Sequence, residues 1–157
     1  MTDAEYRIYL PRKLQADVHG RALAEKCDLE TARLSVVREA ASLLPNDRAT
    51  PGHHFWTVEA QGEPTPVGAV WFEARFVSEE NRREGRLWGL DIFPPYRRRG
   101  YGTGSLVLVD EESRRLGCQA LRLHVFPHNK AAMVLYLKGG WRPTNLFMVK
   151  LLAEPGP

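Results

Sequence analysis

The sequence predicts a mixed α/β domain, on three observations. Apolar residues recur at helical spacing between Leu14 and Leu44. Runs rich in aromatic and branched residues at His54–Ala60, Val67–Val77 and Leu87–Phe93 read as strands. Beyond Phe93, helical and strand patterns alternate to the end of the chain, so both element types share one core.

Taken in order, Tyr6–Leu10 reads as a short strand stopped by Pro11. Over 11–45, Leu14, Val18 and Ala22 mark one helix face; Ala32, Val36 and Ala40 mark a second. Asp28 is placed to cap the second helix, Pro45-Asn46-Asp47 ends it, and Gly20 weakens the first. A loop at Arg48–His53 leads to the strands, which the turn residues Gln61–Pro66 separate. Ser78–Arg86 reads as a charged loop. Gly89 interrupts the third strand and predicts a bulge or a close approach by another backbone. A helix carrying Leu106, Val109 and Leu116 closes at Gly117. The alternation of Leu121, Leu123 and Val125 gives a strand. Asn129 caps a helix ended by Gly139-Gly140, and Leu146–Leu152 reads as a final strand. No repeat or linker divides the 157 residues, so a single domain over 1–157 is expected.

Composition excludes several classes. A formal net charge of +3 gives no argument for nucleic acid or a membrane surface. Cys27 and Cys118 lack the spacing of a metal site, and no metal is expected. His53 and His54 are adjacent on a strand, so they point to opposite faces and chelate poorly. No apolar run approaches the roughly 18 residues needed to cross a bilayer. Met1–Glu5 offers no charged region followed by an apolar core. A cytoplasmic protein is the expectation.

Chemistry concentrates in Asp91–Gly104, where a strand gives way to glycines that open a helix. Glycine lets the backbone turn tightly and approach a ligand closely. The first amides of a helix lack internal partners and sit at its positive end, an arrangement that binds phosphate. Arg97, Arg98 and Arg99 add charge there. The pattern lacks the Gly-Lys-Ser/Thr of a Walker A loop, and Gly100, Gly102 and Gly104 have the wrong spacing for a dinucleotide fingerprint. A coenzyme A pyrophosphate site and an ordinary glycine-rich turn remain.

Two motifs in order and at the right separation resemble the GNAT superfamily of acyl-CoA-dependent N-acetyltransferases. One is Arg97-Arg98-Arg99-Gly100-Tyr101-Gly102 after an apolar strand ending in proline. The other is Asn129, Ala132, Leu135, Tyr136, Gly140 and Trp141 in an N-x-x-A-x-x-L-Y-x-x-x-G-F/W pattern. Together they anchor residues 87–152. The resemblance implies a mixed, mostly antiparallel sheet, splayed around the acyl-CoA site and flanked by about four helices. It implies that acetyl-CoA is the acyl donor, with pantetheine bonded to the main chain of Ile92 and Phe93. The pyrophosphate would then lie on Arg97 through Gly104, including Tyr101 and Thr103, with Asn129 and Tyr136 also touching the cofactor.

Transfer to an amine asks for a neutral nucleophile, a stabilised oxyanion and a protonated leaving thiol. By pattern alone Tyr136 is a core residue; by resemblance it is the general acid that protonates sulfur. For the base, His124 stands where ribosomal-protein alanine acetyltransferases carry a glutamate. Asp91 is the second candidate, Glu73 a weaker third, and water can serve instead. The helix pair at 11–45 would help to grip the acceptor, a small-molecule amine or a protein amino group. The resemblance brings homodimer formation into consideration. Two other readings stay open: a catalytically idle acyl-CoA sensor, and a nucleotide-binding module.

Overall fold

The computed structural model describes residues 1–150. Eight elements follow in order: α1 (Asp3–Glu25), α2 (Leu29–Leu43), β1 (His53–Val58), β2 (Gly68–Val77), β3 (Arg82–Ile92), α3 (Tyr101–Arg115), β4 (Ala120–Leu123) and α4 (Lys130–Lys138). The strands form one open sheet in the order β1-β2-β3-β4. The first two pairings are antiparallel and the third, β3 with β4, is parallel. This is the mixed, mostly antiparallel sheet with four helices that the sequence resemblance implied.

The sheet is covered on both faces, which is why its central strand β2 is almost continuously apolar. Ala69 and Trp71 pack with Tyr6, Tyr9, Leu44 and Phe55 on the α1 side. Val70, Phe72 and Ala74 pack with Leu87, Leu106 and Val109 on the α3 side. Period-two alternation along β2 thus divides one apolar run between two cores. A third cluster, Val18, Ala32 and Val36, ties α1 to α2. Asp28 caps α2 as expected, its Oδ1 accepting from the Thr31 amide at 2.9 Å.

The N-terminal strand at Tyr6–Leu10 does not form; those residues lie in α1 and Pro11 is inside the helix. Thr2 and Glu5 explain the override. They form a reciprocal capping box, with the Thr2 amide donating to Glu5 Oε2 at 2.6 Å. Tyr6 and Tyr9, three positions apart, then fall on one helix face and are both buried. A proline inside a helix costs roughly 3 kcal/mol, and burying two aromatic side chains at roughly 1.5–3 kcal/mol each offsets it.

The charged segment Ser78–Arg86 is likewise no simple loop. A short 3-10 turn at Ser78–Glu80 and Asn81 at positive φ form a hairpin, and β3 begins at Arg82. Its charges are neutralised across strands. Glu84, only 1% exposed, accepts from Arg122 Nε at 2.7 Å and lies 3.5 Å from both Arg75 and Arg82. The predicted strand at Leu146–Leu152 is not found over 146–150, where Leu146, Phe147, Met148 and Val149 are exposed without ladder bonds. Apolar patterning marks a segment fit for a strand, but a strand exists only against a partner edge. Leu151 and Leu152 lie outside the described residues. No described helix is long and apolar enough to cross a membrane.

Candidate active site

The parallel pairing of β3 and β4 runs from Glu84↔Ala120 to Leu87↔Leu123 and stops. Beyond it β3 continues through Trp88–Ile92, still paired with β2 but, among the described residues, with no strand on its other side. On β4's side, His124–Phe126 leave the sheet. Two local features separate the strands. Trp71 pairs with Gly89 and Phe72 with Leu87, so Trp88 is an extra residue that bulges β3 and changes its twist. Phe126, meanwhile, packs against α1 at Gly20, where a Cβ would meet its ring at 2.8 Å. Gly20 is therefore a packing site within a continuous helix. Gly89 lies beside the predicted bulge; the group that approaches it is the Tyr9 side chain rather than a backbone.

At the end of the open stretch the chain forms a turn before α3. Pro94–Tyr96 is a single 3-10 turn, Arg98 has φ +63° and Gly100 φ +86°. Gly100 is the N-cap of α3 and no side chain caps it. The amides of Tyr101, Gly102 and Thr103 are thereby left without internal partners at the positive end of a 15-residue helix. Cβ atoms at Gly100 and Gly104 would meet nothing within 4 Å, so an open approach leads to these amides. A cleft of about 570 Å³ borders the turn, lined in part by Val58, Arg99, Gly100, Tyr101 and Gly104. A second, of about 340 Å³, lies at the far edge of the sheet around His53–Trp56.

The three arginines have distinct partners. Arg97 Nε donates to the Ile92 carbonyl at 2.8 Å, and its Nη2 lies 3.6 Å from Asp91. Arg99 pairs with Glu63 at 3.1 Å, and the same carboxylate accepts from the Tyr101 hydroxyl at 3.3 Å. Arg98, at positive φ within the turn, is exposed and makes no ion pair among the described residues. The Phe93 amide donates to Val67 at 2.9 Å. Of the two residues expected to meet pantetheine, then, Phe93 spends its amide on the β2 side and Ile92 its carbonyl on Arg97.

α4 packs over the start of α3: a Cβ at Gly102 would lie 3.2 Å from Leu135 and 3.8 Å from Ile92. Asn129 caps α4, its side chain accepting from the Ala132 amide at 3.2 Å. This packing brings Leu135 to the glycine turn, while Tyr136 packs against the cluster that contains Leu87 and Leu106. Burial raises the Tyr136 pKa above its ordinary value, so the phenol stays protonated at neutral pH. Its ring lies 5.9 Å from that of Trp141.

His124 and Asp91 both lie toward α1. Burial, with the guanidiniums of Arg21 and Arg86, lowers the His124 pKa, so its imidazole is neutral near pH 7. Burial raises the Asp91 pKa, against the opposing charges of Arg97 and Lys13. Glu73, the third candidate, is occupied elsewhere: its Oε2 accepts from Trp88 Nε1 at 2.9 Å. Beside it His53 Nδ1 accepts from Trp71 Nε1 at 2.9 Å, while the neighbouring His54 stacks on Trp56. Among the described residues no group of three or more His, Cys, Asp or Glu could hold a metal.

Tyr9, Lys13 and Asp17 also reach this region, and sequence reading missed all three. They are spaced by four along α1, a periodicity hidden by treating Pro11 as a stop. The Thr2–Glu5 capping-box pattern was the signal that could have found them.

The acetyltransferase (GNAT) family model matches residues 21–141. The chain is 32% identical over 152 residues to the uncharacterised N-acetyltransferase YycN of Bacillus subtilis (strain 168), spanning 97% of this chain and 96% of that one. It is 34% identical over 112 residues to YdgE of the same organism, 71% of this chain and 69% of that one. The crystal structure of YycN shares the fold with a TM-score of 0.88 at 31% identity, covering 98% and 96% of the two chains. An acetyl transferase from Pyrococcus furiosus, 18% identical, has the same fold with a TM-score of 0.65 over 92% and 95%. This chain belongs to the acetyltransferase (GNAT) family. Its class is that of acyltransferases, and acetyl transfer is its chemistry.

Proposed function

We propose that this protein transfers an acetyl group from acetyl-CoA to a primary amine, by direct attack in a ternary complex. The observation that carries this reading is the opening of the sheet beyond Leu87 and Leu123, with uncapped helix amides at its end. A slot with one unpaired strand edge suits the amides of a pantetheine arm. Leu90 and Ile92 are the β3 residues whose amides face that slot, since Phe93 turns its own toward β2. The amides of Tyr101, Gly102 and Thr103 suit a pyrophosphate, with Arg98 beside them. Backbone amides at a helix start and an unpaired strand edge fit an acyl-CoA; no metal is needed for the chemistry.

Transfer then proceeds with few side chains. The neutral amine nitrogen bonds to the acyl carbon, the C–S bond breaks, and Tyr136 gives its proton to the departing sulfur. The proton lost from nitrogen passes to Asp91 or His124, directly or through water, and returns to the tyrosinate. Asp91 and His124 are both suited to accept near neutral pH, one by a raised carboxyl pKa and the other as a neutral imidazole. The acceptor would enter from the α1 side.

Calorimetric titration with acetyl-CoA, with ATP and NAD as controls, tests the donor. One saturable site selective for acetyl-CoA is expected. Thiol release across a panel of polyamines, aminoglycosides, amino acids and peptide amines then tests the acceptor class. Binding without thiol release on any amine would leave an acyl-CoA sensor in place of the enzyme. Equal binding of ATP or NAD would overturn the acyl-CoA reading.

A further inference from the structure

Tyr9 is 5% exposed, and among the described residues its hydroxyl has no hydrogen-bond partner. A buried, unsatisfied hydroxyl is costly in a native protein and calls for a partner absent from the free chain. Its position identifies that partner. The oxygen lies 2.6 Å from where a Cβ of Gly89 would stand, on the part of β3 that has lost its β4 neighbour. Any other residue at 89 would displace it. The aliphatic arm of Lys13 closes the same spot at 2.7 Å, with its ammonium held 2.5 Å from Asp17.

We propose that the Tyr9 hydroxyl donates a hydrogen bond to the carbonyl oxygen of the acyl thioester and holds the negative charge that gathers there during transfer. The assignment rests on the acyl-CoA reading above. Sulfur and carbonyl oxygen are bonded to the same carbon, so Tyr136 and Tyr9 would flank it, one giving a proton to sulfur and the other keeping its own. The charge returns from oxygen as the C–S bond breaks, and no further reactant is required. Burial, together with Asp91, Asp17 and Tyr136, raises the Tyr9 pKa well above that of free tyrosine, so it remains a donor throughout the working pH range. A donor aimed at a developing oxyanion from a dry site is a strong source of transition-state stabilisation.

The test compares acetyl-CoA with CoA, because only the former carries the carbonyl. In wild type and Tyr9→Phe, dissociation constants for both are measured by calorimetry, and the carbonyl stretch of bound acetyl-CoA, ¹³C-labelled at the carbonyl, by infrared difference spectroscopy. Tyr9→Phe is expected to weaken acetyl-CoA about 3- to 10-fold, leave CoA unchanged and move the stretch toward its value in a non-bonding medium. Its melting temperature should hold or rise, since the lost hydroxyl has no partner among the described residues. Gly89→Ala, which displaces the ring, should reproduce the selective loss. Equal effects on both ligands, an unchanged stretch, or a melting temperature several degrees lower would each overturn the assignment. Wild-type protein that binds neither ligand would instead overturn the acyl-CoA reading on which it rests.

Discussion

Leu87 and Leu123 are the last residues paired between β3 and β4, and the candidate site begins where their pairing ends. Up to that point the sheet is an ordinary covered core. Beyond it the same strand offers main-chain groups to a ligand instead of a neighbour. The bulge at Trp88 and the packing of Phe126 on Gly20 hold the gap open from opposite sides.

Gly102 is the point at which α3, α4 and Ile92 meet. Gly102→Val would press a branched side chain on Leu135 and narrow the approach to the helix amides. Acetyl-CoA affinity is expected to fall at least about 10-fold, or about 1.4 kcal/mol, in a calorimetric titration. Far-ultraviolet circular dichroism should be unchanged.

Tyr136→Phe removes the acid and leaves the packing. Turnover measured by thiol release should fall about 100-fold, while the acetyl-CoA dissociation constant stays within about 2-fold of wild type. Unchanged turnover would remove Tyr136 from the mechanism.

The base is identified by pH. If His124 accepts the amine proton, His124→Ala loses the acid limb of the rate profile; if that limb persists, the histidine is not the base. Asp91→Asn then decides the carboxylate by the same measurement. The Asp91 pKa is raised in the folded state by burial. Its charge therefore destabilises the fold above that folded pKa, and the effect vanishes as pH falls below the unfolded value of 3.8. Asp91→Asn should accordingly raise the melting temperature at pH 7 to 8 and not at pH 3, as thermal scans would show.

Glu84 supplies stability of the opposite sign. Burial alone would raise its pKa, but Arg122 and Arg75 outweigh burial and lower it. Its contribution is present above the unfolded value of 4.5 and is lost as pH falls through the lower folded pKa. Glu84→Gln leaves the surrounding guanidiniums without their buried anion. A loss of about 3 kcal/mol is expected, or roughly 6–12 °C in melting temperature at neutral pH.

What the sequence determined by itself was local. The glycine turn, the Asn129 and Asp28 caps, the helix-closing Gly117 and the apolar runs of β1, β2 and the second half of β3 depend on neighbouring residues, and each is where the pattern places it. Tertiary structure decided the rest, because those choices turn on partners far along the chain. Pro11 stays helical because Tyr6 and Tyr9 bury against the sheet. The three arginines and Glu84 of 82–86 become part of a strand because Arg75 and Arg122 lie beside Glu84. Segment 146–150 remains without a strand because no edge among the described residues is paired with it. Only the folded chain places Tyr9 over Gly89, since a hydroxyl on the first helix and an opened strand some eighty residues later share no local signal.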